Sequence, residues 1–279
     1  IMWFASGMPL SNLIAKHAEF NEMLLDYRQP LFWSYAAPIT QAILNLMGHT
    51  GNPSRLKGDH MDEDDLVPKW EAAGNKRAIE MFRICRLMLG ALFRDYEGAM
   101  EHHPHLPTHK GPDGLDPLHI FRVFYAGLTM VGLSKKKRFK RVKRRKEACK
   151  LMERLRSWAN LGITSCKHME LIIRAELYAS AKGEARESVE RAYRVAIEAA
   201  KLSGVLQNEA LANELAGSWL AEQTGKSECD TPYLLQAATL YEAWGAVAKV
   251  DDIMRRFPHC FGEQPTYQCK SSQTMPMTG

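Results

Sequence analysis

NEALANELAGSWLAEQTGKSECDTPYLLQAATLYEAWGAVAKVDDIMRRFP, residues 208–258, is the stretch whose reading decides the fold. Small residues (Ala210, Ala212, Ala216, Gly217) stand beside large ones (Leu211, Leu215, Trp219) at helical spacing. Gly225 marks a turn, and after Pro232 a second set follows: Leu235, Ala238, Tyr241, Ala243, Trp244, Ala246, Val247 and Val250. Small residues let helix backbones approach closely, and aromatic side chains fill the grooves that remain. The stretch predicts two amphipathic helices, a short third helix and a stop at Pro258. That is the pattern of a helical hairpin and not of a catalytic pocket.

Upstream, Met169–Ala181 and Ala185–Leu202 predict another hairpin, turning at Gly183. Placing Gly183 on Gly225 sets a period of 42 and brings Ala196 onto Ala238. Ala175-Glu176-Leu177 matches Asn213-Glu214-Leu215 at a slightly shorter offset. Each hairpin has an apolar face that needs a neighbouring pair to cover it.

Farther out, Leu13, Ile14, Phe20, Leu24 and Leu25 predict a helix over 10–28 that Pro30 closes. Pro38 suits the first turn of the next helix, which carries Ile39, Ile43, Leu44 and Met47 and stops at Gly48. An acidic loop, Asp59–Asp65, precedes one long helix from Trp70 to Tyr96. Another helix begins near Tyr96, and a Pro- and His-rich loop spans His102–Asp116. Asp116-Pro117 starts a helix with Ile120, Phe121, Phe124, Tyr125 and Leu128, and Glu147–Asn160 forms the next. No strand-like alternation of useful length occurs, so the expected fold is all-α, an α-solenoid of helical hairpins. It divides into N-terminal hairpins over 1–133, a basic linker or insertion over 134–146, C-terminal hairpins over 147–258 and a disordered tail over 259–279.

With 279 residues, 46% of them hydrophobic, the chain can bury a sizeable core. Its net charge of +5 rests on one tract: residues 135–146 hold ten basic side chains, and without them +5 becomes −5. Six scattered cysteines with no C-x-x-C pair predict reduced thiols and a cytoplasmic setting. No apolar run reaches the roughly 20 residues that a membrane span needs. The start at Ile1 lacks a basic leading region, so no signal peptide is expected, and the chain reads as part of a longer one with helices upstream.

Several constellations were tested for chemistry. Thr224-Gly225-Lys226-Ser227 ends like a phosphate-binding loop, but that loop needs glycine where Leu220 stands, and a strand before it. His102, His103, His105 and His109 have no cysteine or carboxylate at ligand spacing, and Asp62-Glu63-Asp64-Asp65 lacks the spacing of a calcium loop. His17 and His168 lack the surroundings of a phosphoacceptor, and no Ser, Thr or Cys has the context of a nucleophile. No catalytic, cofactor-binding or metal residue is therefore assigned. The tract KKKRFKRVKRRK reads first as a solvated linker, and second as a patch for nucleic acid, anionic lipid or an import receptor.

One resemblance covers roughly residues 1–258. It is carried by Ala210–Ala216, Tyr241, Trp244-Gly245-Ala246, Ala248-Lys249-Val250 and Pro258. Upstream it includes Gln41, Asn45-Leu46, Gly48, Pro53, Leu56, Gly58, Gly90, Asp95-Tyr96, Ala99, Trp158-Ala159 and Ala175-Glu176-Leu177. These residues resemble the TPR-like helical region of large signalling proteins that join a Ser/Thr-kinase-like domain and an AAA-type ATPase module to GAF and histidine-kinase modules. The basic tract departs from that pattern. In those proteins ATP binding and phosphotransfer belong to other modules, so the resemblance implies a non-catalytic, cytoplasmic scaffold that contacts a protein partner or neighbouring domains. The alternative is an adaptor for nucleic acid or an anionic surface, acting through residues 135–146.

Overall fold

A computed structural model describes residues 6–27, 30–102, 117–136, 140–181, 183–224 and 232–261. Among these the chain is all-helical. Twelve α-helices run in order: α1 (Leu10–Asp26), α2 (Pro30–Leu46), α3 (Glu63–Ala72), α4 (Lys76–Leu92), α5 (Tyr96–His102) and α6 (Pro117–Lys136). Then come α7 (Arg141–Asn160), α8 (Ser165–Ala179), α9 (Arg186–Ser203), α10 (Leu206–Thr224), α11 (Pro232–Trp244) and α12 (Val247–Arg256), with a 3-10 turn at Pro258–Cys260. Among the described residues no helix is long and apolar enough to cross a membrane.

Composition sorts these helices into two layers. In α6 every residue from Leu118 to Ser134 is buried, and in α10 every residue from Ala210 to Trp219. Helices without a polar face lie inside. In α9, by contrast, the buried residues Val189, Tyr193, Ala196 and Ala200 form one stripe, so the helix covers its neighbours from outside. Even-numbered helices pack on one another in turn, α2 on α4, α4 on α6, α6 on α8 and α8 on α10, while α3, α5, α7 and α9 fill the outer positions. Close approach depends on glycine: a Cβ on Gly132 would lie 2.3 Å from the Tyr96 ring, and one on Gly217 2.6 Å from Leu234.

The row does not end open. Helix α12 packs on α2, and Trp244, fully buried, donates its indole N–H to the Met8 carbonyl at 3.1 Å. Gly7 lies against the turn from Gly204 to Leu206. A single cluster of buried apolar residues runs from Leu10 to Ile253.

Three local expectations are corrected. Pro30 opens α2 instead of closing α1, and the helix continues through Pro38, which forfeits one backbone bond while the Thr40 hydroxyl bonds the Ala36 carbonyl at 3.2 Å. The long helix expected over Trp70–Tyr96 is broken: Gly74 turns at φ +65°, and the Asn75 side chain accepts from Ala78 N to start α4. Cys85, Cys149 and Cys166 are free thiols, whereas Cys260 is disulfide-bonded, against the expectation of reduced cysteines throughout. The basic tract lies on facing helix ends, Lys135 and Lys136 closing α6 and Arg141–Lys146 opening α7, with 137–139 outside the described residues. Of the tail expected over 259–279, residues 262–279 lie outside them as well.

Candidate functional site

The densest polar chemistry sits where α4, α10, α11 and α12 meet. Glu214 lies in the all-buried part of α10, and its side chain is 1% exposed. An isolated carboxylate there would be costly, so it must be paired and hydrogen-bonded. Lys249 of α12, with no exposed side-chain area, donates from Nζ to Glu214 Oε1 at 3.0 Å and to the Leu92 carbonyl at 2.8 Å. Its third neighbour is Asp252 Oδ2 at 3.5 Å, and the rings of Phe93 and Tyr241 lie 5.2 and 5.3 Å from the ammonium. The Tyr241 hydroxyl donates to Glu214 Oε2 at 2.9 Å. Arg256 donates to Glu214 and, at 3.0 Å, to Asp252. Arg94 lies 4.0 Å from Glu214 and donates to Ser218 Oγ at 2.6 Å.

Electrostatics make this centre a fixed set of ions. Burial works against the Glu214 charge, yet Lys249, Arg256 and Arg94 together outweigh it and hold the carboxyl at about 2. Burial lowers Lys249, opposed by Glu214 and Asp252. Burial and the adjacent carboxylate push the Tyr241 phenol well above its usual value, so it stays a donor. A general base operates best near the ambient pH, which excludes Glu214. The Lys249 donors are all engaged, which leaves no free amine for nucleophilic work. The arrangement ties four helices together.

A second centre repeats the device one hairpin earlier. Glu176 of α8 accepts from the Tyr193 hydroxyl of α9 and from Lys135 Nζ at 2.7 Å. Glu214 of α10 likewise accepts from a tyrosine of the following helix, α11. Between the centres lies a cavity of about 100 Å³, lined in part by Arg94, Tyr96, Lys135, Glu176, Trp219 and Glu222. Arg94 adopts φ +63°, a left-handed conformation that is sparsely populated for a residue with a side chain.

The described residues of the basic tract divide into bonded and exposed cations. Its described arginines point at helix carboxyl ends: Arg144 donates to the Leu133 carbonyl at 3.2 Å, Arg145 to that of Leu177 at 2.9 Å, and Arg141 to that of Ser180. Lys136 donates to the Arg94 carbonyl at 3.0 Å. Such cations satisfy carbonyls left without partners at helix ends and offset their partial negative charge. Lys140, Lys143, Lys146 and Lys150 remain exposed on α7.

The residues tested for chemistry in the sequence do not converge. Positions 103–109 and 225–227 lie outside the described residues. His168 is buried beside Asn208 Nδ2 at 2.8 Å and held near 4 by burial; His17, also near 4, meets Thr40 Oγ1 at 3.1 Å. In the acidic loop, Asp62 caps α3 through Asp64 N, and Glu63 accepts from Arg55 Nε at 2.7 Å and Leu56 N at 2.8 Å. Among the described residues no group of three or more His, Cys, Asp or Glu is placed to hold a metal ion. Burial pushes the thiols of Cys85 and Cys166 up to about 12 and about 11, away from the reactive range.

Comparison with protein-family models, with curated proteins and with solved structures found no match. Sequence reading picked out Glu214 and Lys249 as letters of a resemblance and missed their chemistry. The available signal was Asn213-Glu214 inside a helix whose other residues leave no polar face to receive them.

Proposed function

We propose that this chain is a non-catalytic α-solenoid of TPR-like helical hairpins within a multidomain signalling ATPase or kinase, where it holds a protein partner or neighbouring domains in register. The observation that carries the reading is the recurrence of one unit in consecutive hairpins. In each, an inner-helix glutamate is buried and bonded by a tyrosine of the next helix, Glu176 by Tyr193 and Glu214 by Tyr241. Repeated units stacked by nearest-neighbour contacts are the construction of solenoids; here the stack also closes on itself, α12 against α2. The buried charges of its two glutamate centres are spent on holding helices to one another, which suits a part whose work is positional. ATP binding and phosphotransfer would belong to other modules. Isothermal titration of residues 1–279 with ATP and magnesium is expected to give no saturable heat; saturable micromolar binding overturns the non-catalytic reading.

A second reading, an adaptor for nucleic acid, rests on the exposed lysines of α7. It predicts affinity that falls steeply with salt. Lys143→Glu/Lys146→Glu/Lys150→Glu changes only exposed residues and leaves the carbonyl-bound arginines in place. Unchanged retention of single-stranded DNA by that variant removes this reading.

A further inference from the structure

Large apolar side chains are concentrated on one part of the surface. Phe20, Met23, Tyr27, Leu31 and Phe32 are 42, 50, 71, 52 and 50% exposed, and all five lie within thirteen consecutive residues. A soluble surface carries scattered exposed hydrophobics, while a contiguous patch marks a contact. Phe20 and Met23 of α1 and Tyr27, whose N–H still bonds the Met23 carbonyl just past its end, fall at i, i+3 and i+7 on one stripe, and Leu31 and Phe32 open α2 beyond it. The adjoining side of α1 is already used: Leu13 and Leu24, seven residues before and four after Phe20, are buried in the core with Leu10, so the stripe runs along the edge of the core contact.

Charge decides what fits the stripe. Glu19 and Asp26, both exposed, stand four residues before and three residues after Met23, so they line its solvent flank, and Glu22 follows on the same side. Lys16 is the single described lysine or arginine of α1 and stands one turn before Phe20 on the same stripe, so the acids outnumber it along the flank. Two copies meeting through this stripe would set these carboxylates against each other, and an anionic bilayer would be repelled by them. An apolar helix edged with lysine or arginine meets both the stripe and the acids, the helix-in-groove mode with its anchors at i, i+3 and i+7.

We infer that the outer face of α1 and the start of α2 dock an amphipathic helix of a protein partner, apolar toward Phe20, Met23 and Tyr27 and basic toward Glu19, Glu22 and Asp26. This rests on the scaffold reading and names the place and chemistry of one of its contacts. The probe is a fifteen-residue peptide of leucine and lysine at helical spacing, against the same peptide with glutamate for lysine, each titrated by fluorescence anisotropy. The leucine–lysine peptide is expected to bind at least tenfold more tightly. Phe20→Ser/Met23→Ser/Tyr27→Ser should lose that binding at least tenfold, and Glu19→Lys/Glu22→Lys/Asp26→Lys should reverse the preference between peptides. Equal binding of the two peptides, binding unchanged in the serine variant, or a preference unmoved by charge reversal overturns the proposal. Flotation with phosphatidylcholine vesicles that the serine variant abolishes also overturns it, by assigning the stripe to a membrane surface. Failure here leaves the nucleotide titration unaffected, and saturable ATP binding would leave this face standing.

Discussion

In the connection between α2 and α3 two buried amides hold backbone beside the Arg55–Glu63 ion pair; between α4, α10 and α12 the work falls almost wholly to ions. Gln41 Oε1 accepts from His60 N and Met61 N, each at 3.1 Å, while its amide donates to Asn45 Oδ1 at 2.9 Å. Asn45 in turn donates to the carbonyls of Pro53 and Arg55. Both side chains are buried, and their partners lie within about twenty residues along the chain. The ionic centre joins groups far apart in sequence, Lys249 to Glu214 and to Leu92. In the local loop the amides of Gln41 and Asn45 can be lost at the cost of hydrogen bonds alone, while Glu63 adds an ionic tie to Leu56 N and Arg55. A seam between distant helices is held by charges, each of which depends on the others staying in place.

The comparison is broken or sharpened most strongly by Glu214→Ala. Removing the carboxylate leaves Lys249 buried against Arg256 and Arg94, and a broken buried pair costs about 3–5 kcal/mol. Urea unfolding should show a correspondingly lower midpoint, and a loss below about 1 kcal/mol would mean the ions do not carry the seam.

Acid separates the two regions next. The folded pKa of His168 is about 4, below the ordinary 6.5, because burial disfavours its charged form. Its contribution is therefore complete above pH 6.5 and is lost as pH falls toward 4, about 3 kcal/mol in all; His17 shifts in the same direction. Glu214, held at about 2 against 4.5, contributes above pH 4.5 and loses its share as pH falls further. Urea midpoints measured from pH 7 to 3 should fall along both steps. Asn45→Ala should lower the whole curve without changing its shape, and Glu214→Gln should flatten it below pH 4.5.

Asn45→Ala itself should cost about 2 kcal/mol, because the Pro53 and Arg55 carbonyls lose their buried donor. Tyr241→Phe, which removes one donor to Glu214 but keeps the ring over Lys249, should cost about 1.5 kcal/mol. Both are read from the same urea titrations, and a Tyr241→Phe loss equal to that of Glu214→Ala would make the phenol, not the ions, the main tie.

Much of the architecture is legible where periodicity and packing agree. Small and large residues in 208–258 predict the close helices that Gly217 and Leu234 make, and Trp244 and Ala246, expected in the core, are both fully buried. Element edges are less legible: Pro38 is tolerated inside α2, and Gly74-Asn75 divides a continuous apolar pattern into α3 and α4. The charge centre is hidden from local pattern, since the partners of Glu214 stand on other helices and nothing in a helical period says which will face it. The tract from Lys135 to Lys146 misleads for a related reason. A run of cations looks solvated until helix ends are placed beside it, and then Lys135, Lys136, Arg141, Arg144 and Arg145 bond them while Lys143 and Lys146 stay exposed.

The bond from Trp244 to Met8 has a consequence for how the chain reaches this state. Closing a loop costs entropy that grows with the logarithm of its length, about 0.6 kcal/mol for each doubling. That contact encloses nearly all the helices, with a separation of 236 residues, so it cannot guide the search for them. Adjacent hairpins, with short loops, assemble first, and rates follow such local contacts. The stretch before α1 is therefore expected to dock last, onto helices already built.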